Sequence, residues 1–279
     1  ALVLETMAAV SPNALSLSRA DTIAPIVPMF HVNGWAIPFA AAMSGAKLVL
    51  PGPDLSAEAL VRQIRAEQIT FSAGVPTIWL SVVQYLKDTG VDIPSLQRIA
   101  VGGSAAPRSL MDTLEDDYGV FVSHVWGMTE MTQGSAGRFT HRVTGLNREE
   151  QRRRQAMAGR ELYGVELRLV DANGEDVPRD GSSPGELLAR GPWVAGAYFD
   201  LADDMTHIED DGGNWLRTGD VATMDTEGYI TIVDRAKDVI KSGGEWISSI
   251  ELENAAVGAP GVAEAAAVGL PHDRWGERP

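Results

Sequence analysis

The sequence has no cysteine, few aromatic residues and no long apolar run. Its 279 residues include no Cys, and only 6% are aromatic. Without cysteine the chain has no disulfide, no thiolate metal site and no cysteine nucleophile, so any thioester that it makes requires a thiol from a cofactor. No stretch is apolar for long enough to predict a membrane span. The first residues show no charged n-region and no cleavage site, so they do not resemble a signal peptide.

Basic residues are also scarce. The chain has 23 Lys and Arg against 38 Asp and Glu, which gives a net charge of −15 and a pI of about 4.7. This balance argues against nucleic acid and anionic membrane surfaces as partners. The Arg-rich stretch 138–160 is therefore interpreted as carrying a solvated helix at 147–157. We expect an intracellular, cytoplasmic protein.

Residues 1–130 alternate between strand-like and helix-like patterns. We predict strands at 22–27, 47–50, 69–72, 96–101 and 120–125, and helices at 34–43, 56–67, 76–86 and 107–118. Repeating βα units of this length indicate a mostly parallel sheet covered by helices. Such sheets bind ligands beyond the carboxyl ends of their strands, where the loops 28–35, 102–107 and 126–130 should lie.

From residue 165 the apolar pattern changes to a period of two, which indicates antiparallel strands. We predict strands at 165–170 and 186–190, a hairpin of 221–224 with 229–233, and a last strand at 262–268. A helix should begin at Ser248, because Ser248-Ser249-Ile250-Glu251 is a capping box. The predicted fold is α/β: a helix-covered, mostly parallel sheet, an antiparallel β-barrel-like subdomain, and then the start of a small α+β domain. The boundaries expected for these parts are 1–130, 131–234 and 235–279.

The hairpin carries charged groups at its open end. Asp220 lies at its entrance, and Asp234 and Arg235 lie at its exit. A sugar diol beside a phosphate requires this combination, because a carboxylate accepts from both hydroxyls and Arg pairs with the anion. A surface salt bridge is the alternative for any one such pair. The following run, with Lys237, Asp238 and Lys241 before a Gly-Gly-Glu turn, favours a binding site.

Residues 215–246 resemble the end of the large domain, the hinge and the first turn of the small domain in the adenylate-forming superfamily. This superfamily includes acyl-CoA synthetases, luciferases and peptide-synthetase adenylation domains. The run I-K-S-G-G-E-W-I-S-S-I-E-L-E is similar to the branch of medium- and long-chain fatty acyl-CoA synthetases. The resemblance extends over residues 27–279.

Two upstream motifs agree with this resemblance. G-G-S-A-A-P at 102–107 follows a predicted strand and opens a helix, where small residues let a flat ring or a phosphate approach the backbone. W-G-M-T-E at 126–130 is similar to the family's aromatic-Gly-x-Thr-Glu signature. The resemblance implies nucleotide binding by Gly102, Gly103, Ser104, Ala105, Pro107, Trp126, Gly127, Met128, Thr129, Asp220 and Arg235.

The resemblance also implies the remaining roles. Glu130 would hold Mg²⁺, for which one carboxylate suffices when the metal is bound to phosphates. His31 would line the acyl pocket, Trp35 would be its gate, and Lys237 would be the hinge. The implied catalytic residues are Thr129, Glu130, Arg235 and Lys241, and those on the CoA and hinge side are Gly243, Gly244, Glu245 and Trp246. The other histidines, at 124, 141, 207 and 272, have no metal-ligand spacing, and we assign them no chemistry.

The sequence therefore predicts an ATP-dependent fatty-acid–CoA ligase that uses ATP, Mg²⁺ and coenzyme A. Relatives often form homodimers, so a homodimer is among the expected states. The family's Ser/Thr/Gly-rich phosphate loop should precede Ala1 and its catalytic Lys should follow Pro279, so we expect these residues alone to be inactive. Two alternatives stay open. One is another adenylate-forming enzyme, either luciferase-like or a carrier-protein loader, although the I-K-S-G-G-E-W run argues against the loader. The other is a non-catalytic nucleotide-binding module.

Overall fold

The computed structural model describes residues 1–200, 206–210, 213–243, 245–257, 259, 262 and 265–279. The chain divides into two compact units. Unit 1 comprises Ala1–Val165 and Gly191–Val194, and unit 2 comprises Glu166–Arg190 and Ala195–Pro279. The three-part division predicted from the sequence stays a prediction.

Unit 1 alternates helices and strands along the chain. Its elements are α1 (Leu2–Val10), β1 (Thr22–Pro25), α2 (Val32–Trp35), α3 (Ile37–Ser44), β2 (Lys47–Leu48), α4 (Ala57–Glu67), β3 (Phe71–Gly74), α5 (Pro76–Thr89), β4 (Arg98–Val101), α6 (Arg108–Tyr118), β5 (Phe121–Trp126), β6 (Ser135–Ala136), α7 (His141–Thr144), α8 (Arg148–Ala156) and β7 (Arg160–Glu161). The strands form one sheet in the order β2-β1-β3-β4-β5-β6-β7. The first five strands are parallel, and β6 and β7 continue the sheet antiparallel.

The helices of unit 1 form where capping residues and apolar spacing coincide. In α4, the Ser56 hydroxyl accepts a hydrogen bond from the Ala59 amide, and the apolar residues of one face are buried. In α5, Pro76 occupies the first turn, where its missing N–H is tolerated. Trp79 and Leu86, one face of α5, are fully buried in the core against the sheet. The central strands β3 and β4 are buried along almost their whole length, and most of their residues are apolar or small.

A buried ion pair connects strands at the amino-terminal edge of the parallel sheet. Arg98 donates to Asp21 at 2.9 Å and to the Ser16 carbonyl at 2.9 Å. Thr70 also donates to Asp21. Burial alone would raise the pKa of Asp21, but donors from Arg98, Ser18 and Thr70 outweigh burial and hold that pKa below its usual value.

Unit 2 is built mainly from antiparallel sheets. Its elements are β8 (Glu166–Val170), β9 (Gly185–Arg190), β10 (His207–Asp210), β11 (Gly213–Met224), β12 (Ile230–Arg235), β13 (Ile240–Ser242), β14 (Glu245–Ile247), α9 (Ser249–Val257), β15 (Leu270–His272) and β16 (Gly276–Arg278). One sheet has the order β10-β11-β9-β8, with β12 also paired to β11, and the other has the order β14-β13-β16-β15. The predicted cap at Ser248 is present, because its hydroxyl accepts from the Glu251 amide at 3.1 Å.

The mixed α/β fold with a mostly parallel sheet and further antiparallel sheets is confirmed. Two local predictions are wrong. Residues 265–268 of the predicted last strand are not in a strand, and pairing begins instead at Leu270. The predicted helix at 34–43 begins only at Ile37, because residues 32–36, which include the short element α2, have positive φ and form a left-handed turn rather than a regular helix. No helix within the described ranges has the length and apolar character needed to cross a membrane.

Candidate active site

A cavity of about 240 Å³ opens at the carboxyl edge of the parallel sheet in unit 1. It lies where β4 and β5 end, at the position predicted for ligand binding in such sheets. It is lined by Leu15, His31, Val32, Trp35, Ile37, Ala100, Gly102, Gly103, Val125, Trp126, Gly127, Met128, Thr129, Thr132 and Gln133. The cavity therefore combines His31 and Trp35, the residues of the predicted acyl pocket, with several residues of the predicted nucleotide site.

A left-handed turn places the aromatic residue of the predicted acyl gate. Residues 32–36 all have positive φ, including the β-branched Val32 at 42°. The Trp35 amide donates to the His31 carbonyl at 3.2 Å, and the Ala36 amide to Val32 at 3.3 Å. L-residues other than Gly pay roughly 1–2 kcal/mol each for this conformation. The turn is therefore strained, and it holds His31 and Trp35 at the cavity.

The glycine loop after β4 lies directly beneath Trp35. A methyl group added at Gly102 would lie 2.7 Å from the Val125 carbonyl oxygen and 3.3 Å from the Trp35 ring. No side chain fits there, so the glycine is required by the close approach of β5 and the indole. The next residues of the loop, Ser104 and Ala105, are exposed.

The second motif forms a tight loop between β5 and β6. A Cβ at Gly127 would lie 2.0 Å from the Thr132 carbonyl oxygen, so only glycine permits this fold of the chain. The Thr132 amide donates to Met128 at 2.7 Å, and Met131 is buried beneath the loop. Thr129 is exposed at the cavity and Glu130 is half-buried beside it.

His124 supports the glycine loop from behind, a role that the sequence analysis did not assign. Its Nδ1 lies 3.2 Å from the Ala156 carbonyl, and the ring also bonds the Ser104 backbone. Burial lowers the pKa of His124 and outweighs both backbone contacts, which favours the neutral imidazole. The sequence signal that could have indicated this role is the position of His124 in the middle of a predicted strand of the buried sheet.

In unit 2 a bulge presents Asp220 at the open end of the hairpin. The register of β11 with β9 shifts between Arg217 and Val221, and Gly219 has a φ of 72°. Arg235 pairs with Asp220 across the hairpin, with Nε 3.1 Å from Oδ1. The Asp220 side chain is 5% exposed, whereas that of Arg235 is 51% exposed. The two residues therefore form the salt bridge that the sequence analysis named as the alternative interpretation, with Arg235 half exposed, and their role in nucleotide binding stays a prediction.

Asp234, the other carboxylate at the hairpin exit, serves the fold. It is buried and accepts from the Ser249 amide at 2.6 Å, so it caps the start of α9. A negative charge there also complements the helix dipole.

The predicted hinge and CoA-side residues lie in and before a hairpin that the sequence analysis missed. Lys237 is in the exposed turn after β12. In the β13–β14 hairpin, the Lys241 ammonium lies 5.6 Å from the centre of the Trp246 ring. Gly243 contacts Trp275, and its amide donates to the Trp275 carbonyl at 2.8 Å. Gly244 and the Glu245 side chain lie outside the described residues.

The structure thus gathers eight of the predicted residues at one cavity, namely His31, Trp35, Gly102, Gly103, Trp126, Gly127, Met128 and Thr129. Ser104, Ala105, Pro107 and Glu130 are not among the residues that line it. Asp220, Arg235, Lys237, Lys241, Gly243 and Trp246 belong to unit 2. The roles assigned to all of these residues stay predictions. Sequence reasoning overlooked Leu15, Ile37 and Gln133 as cavity residues, because their burial depends on distant packing.

Among the described residues, no group of three or more His, Asp or Glu side chains is placed to hold a metal ion. Thr129 and Glu130, which are consecutive in the sequence, nevertheless both carry oxygen donors. This donor set fits Mg²⁺, which takes one or two carboxylates and otherwise binds phosphate and water.

Residues 2–199 match the family described as AMP-binding enzyme. The chain is 48% identical over 278 residues to a 3-methylmercaptopropionyl-CoA ligase of Ruegeria lacuscaerulensis, with 99% of this chain and 51% of the relative covered. It is 46% identical over 281 residues to a long-chain-fatty-acid–CoA ligase of Thermus thermophilus, with 100% of this chain and 51% of the relative covered. The chain therefore spans about half the length of these curated relatives.

A solved structure supports the fold assignment. The o-succinylbenzoate coenzyme A synthetase of Bacillus subtilis, in complex with ATP and magnesium ion, matches with a TM-score of 0.81 and 26% identity. The match covers 98% of this chain and 54% of that chain.

Proposed function

Because this chain belongs to the AMP-binding enzyme family, we propose that it supplies the acyl site and much of the nucleotide site of an ATP-dependent fatty-acid–CoA ligase. The observation that carries the proposal is the cavity in unit 1, where His31 and Trp35 lie beside Gly102, Trp126 and Thr129. An acid must meet the α-phosphate of ATP for this reaction, so acyl and nucleotide residues are required to share one cavity.

In the proposed reaction the fatty carboxylate attacks the α-phosphorus of ATP, and acyl-adenylate and pyrophosphate form. The thiol of coenzyme A then displaces AMP to give the thioester. The first step joins two anions, so fixed donors and cations have to offset their repulsion. Mg²⁺ held near Thr129 and Glu130 would neutralise phosphate charge.

The residues of this chain have distinct tasks in the proposal. The backbone at Gly102 and Gly103 admits the flat adenine, and the Thr129 hydroxyl donates to phosphate. Asp220 accepts from the ribose hydroxyls, and Arg235 pairs with anionic groups. Lys237 and the β13–β14 hairpin serve the change from adenylation to thioester formation.

The relatives support two acyl classes. One includes medium- and long-chain fatty acids, and the other is represented by the 3-methylmercaptopropionyl-CoA ligases of two Ruegeria species. We propose a fatty acid as substrate. The assay is acyl-CoA formation by the full-length gene product with ATP, CoA and a series of straight-chain acids, with 3-methylmercaptopropionate as the competitor. A kcat/KM that is higher for 3-methylmercaptopropionate than for every fatty acid would refute the substrate assignment. Absence of any thioester would refute the ligase.

Asp220→Ala tests the ribose contact. Hydrogen bonds to a charged group contribute about 1.5–3 kcal/mol, so ATP affinity should fall by roughly ten- to a hundredfold or more. Calorimetry measures the affinity, and thermal unfolding checks that the variant is folded. Asp176→Ala is the control, because the Asp176 side chain in unit 2 is 72% exposed. Unchanged ATP affinity in a folded Asp220→Ala variant would exclude this role.

A further inference from the structure

Helix α8 in unit 1 is polar on every side. Its residues are R-E-E-Q-R-R-R-Q-A, and the buried one among them is Gln155. A helix without an apolar face is not held to its domain by hydrophobic burial. Polar contacts therefore have to fix the position of α8.

Ion pairs join α8 to α6, the helix that follows the glycine loop. Arg152 lies 3.0 Å from Asp112 and also pairs with Asp116, and the Arg152 side chain is only 16% exposed. Glu149 pairs at 2.8 Å with Arg108, the first residue of α6. These pairs cross from one helix to the other, so they dock α8 on α6.

The carboxyl end of α8 reaches the glycine loop through His124. Gln155 donates to the Val122 carbonyl at 2.9 Å, which holds this end of the helix against β5. The Ala156 carbonyl then lies 3.2 Å from Nδ1 of His124, and the same ring bonds the Ser104 backbone. One buried ring therefore joins α8 to the glycine loop.

We propose that His124 is a positioning residue of the nucleotide site, and that it makes ATP affinity depend on the docking of α8 on α6. This inference rests on the proposed function, in which the glycine loop admits adenine. Gly103, Ser104 and Ala105 are exposed, so the loop has little side-chain packing to fix it. The bond to a buried ring supplies a fixed point for the loop backbone, and the docked helix fixes the ring in turn.

Substitutions at position 124 of the full-length gene product test the direct contact. His124→Leu is of similar size and removes both ring contacts, so the Kd for ATP, measured by calorimetry, should rise roughly three- to tenfold, as expected for one lost hydrogen bond to the loop. His124→Gln keeps an amide that can hydrogen-bond the same backbone, so it should recover most of the affinity. In both variants kcat at saturating ATP should stay close to that of the parent, because a contact that holds ATP equally before and during the reaction changes affinity alone.

A double-mutant cycle tests whether α8 acts through His124. Arg152→Met removes the two ion pairs with α6 and should raise the Kd for ATP about two- to fivefold. In the His124→Leu background the same substitution should add nothing, because the connection to the loop is already broken. The control is Arg153→Met, since Arg153 is 60% exposed and pairs with Glu150 within α8 itself. This control should bind ATP as the parent does.

Thermal unfolding checks that each variant is folded. Independent effects of Arg152→Met and His124→Leu on ATP affinity would overturn the inference, and so would a lowered Tm of His124→Leu with the ATP affinity of the parent. If His124→Leu does not fold, equal ATP affinities of Arg152→Met and Arg153→Met would overturn it instead. Each of these results leaves the ligase proposal intact. Absence of ATP binding by the folded parent would overturn the proposed function and this inference with it.

Discussion

Glu5 provides the most quantitative test of the packing of unit 1. The side chain lies in α1, is 1% exposed, and neither carboxylate oxygen has a hydrogen-bond partner among the described residues. Helix α3, which packs against α1, carries no charged residue. Burial raises the pKa of Glu5 from 4.5 to about 7. The substitution Glu5→Gln removes the ionisation and keeps the shape.

The sign of the effect follows from proton linkage. Between pH 4.5 and 7 the folded protein keeps the Glu5 proton that the unfolded chain releases, so stability falls as pH rises through this window. With these two pKa values, ionisation should destabilise the parent by about 1 kcal/mol at pH 5 and roughly 3 kcal/mol at pH 8. Glu5→Gln should therefore gain about 2 kcal/mol more at pH 8 than at pH 5.

Urea unfolding of unit 1, followed by tryptophan fluorescence at pH 5 and pH 8, measures this gain. Glu58→Gln is the control, because Glu58 is exposed in the first turn of α4. The same advantage of Glu5→Gln at both pH values would refute the inferred burial of an unpaired carboxyl. A gain of similar size in Glu58→Gln would show that general charge effects cause it.

Three further variants test other contacts. Gly243→Ala should destabilise unit 2 by about 1–3 kcal/mol more than Gly174→Ala. A methyl group added at Gly243 would lie 2.6 Å from the Trp275 ring, whereas Gly174, which also has a positive φ, has open space around it. Equal losses of stability in urea unfolding would contradict this prediction. Arg98→Met removes the cation that pairs with the buried Asp21 and leaves this carboxylate only its hydrogen bonds from Ser18 and Thr70, so unit 1 should lose about 3 kcal/mol at pH 7. Because folding lowers the pKa of Asp21, the ion pair stabilises unit 1 above the ordinary Asp pKa, and this stabilisation is lost on acidification. The stabilities of the parent and of Arg98→Met should therefore converge at low pH. A stability difference that stays constant with pH would exclude the ion pair as the cause of the loss. Trp35→Ala should keep ATP affinity and raise acyl-CoA formation from poor acyl substrates, and unchanged kinetics at all chain lengths would make Trp35 a packing residue only.

Much of the local structure follows from short-range patterns in the sequence. Ser56 and Ser248 begin helices because their hydroxyls satisfy backbone amides of the first turn, and this requires only neighbouring residues. The parallel sheet before residue 130 could also be predicted from local sequence, because the strand and the helix of each βα unit show their own spacing of apolar residues. The order of the G-G-S-A-A-P and W-G-M-T-E motifs placed two loops at the same sheet edge.

The predicted strand at 262–268 failed where such patterns are weakest. The segment is mostly alanine with one Val at each end and has no apolar–polar alternation, and its described part does not pair. The sequence analysis missed the β13–β14 hairpin because a contact with distant sequence, rather than a local apolar pattern, marks it. Gly243 follows β13 within a charged segment, and it packs against Trp275, which lies more than thirty residues further along the chain.

Tertiary structure alone decided which polar groups are buried. Glu5 and Gln133 look like ordinary solvated residues in the sequence, because no residue within a few positions reveals that the folded chain buries them. The left-handed turn at 32–36 is likewise unfavourable by local preference, and only its position against Gly102 explains why Trp35 lies at the cavity. The sequence determined the elements and the motifs that they carry. Long-range packing determined the burial and strain of the side chains that meet at the cavity, because these depend on residues far apart in the chain.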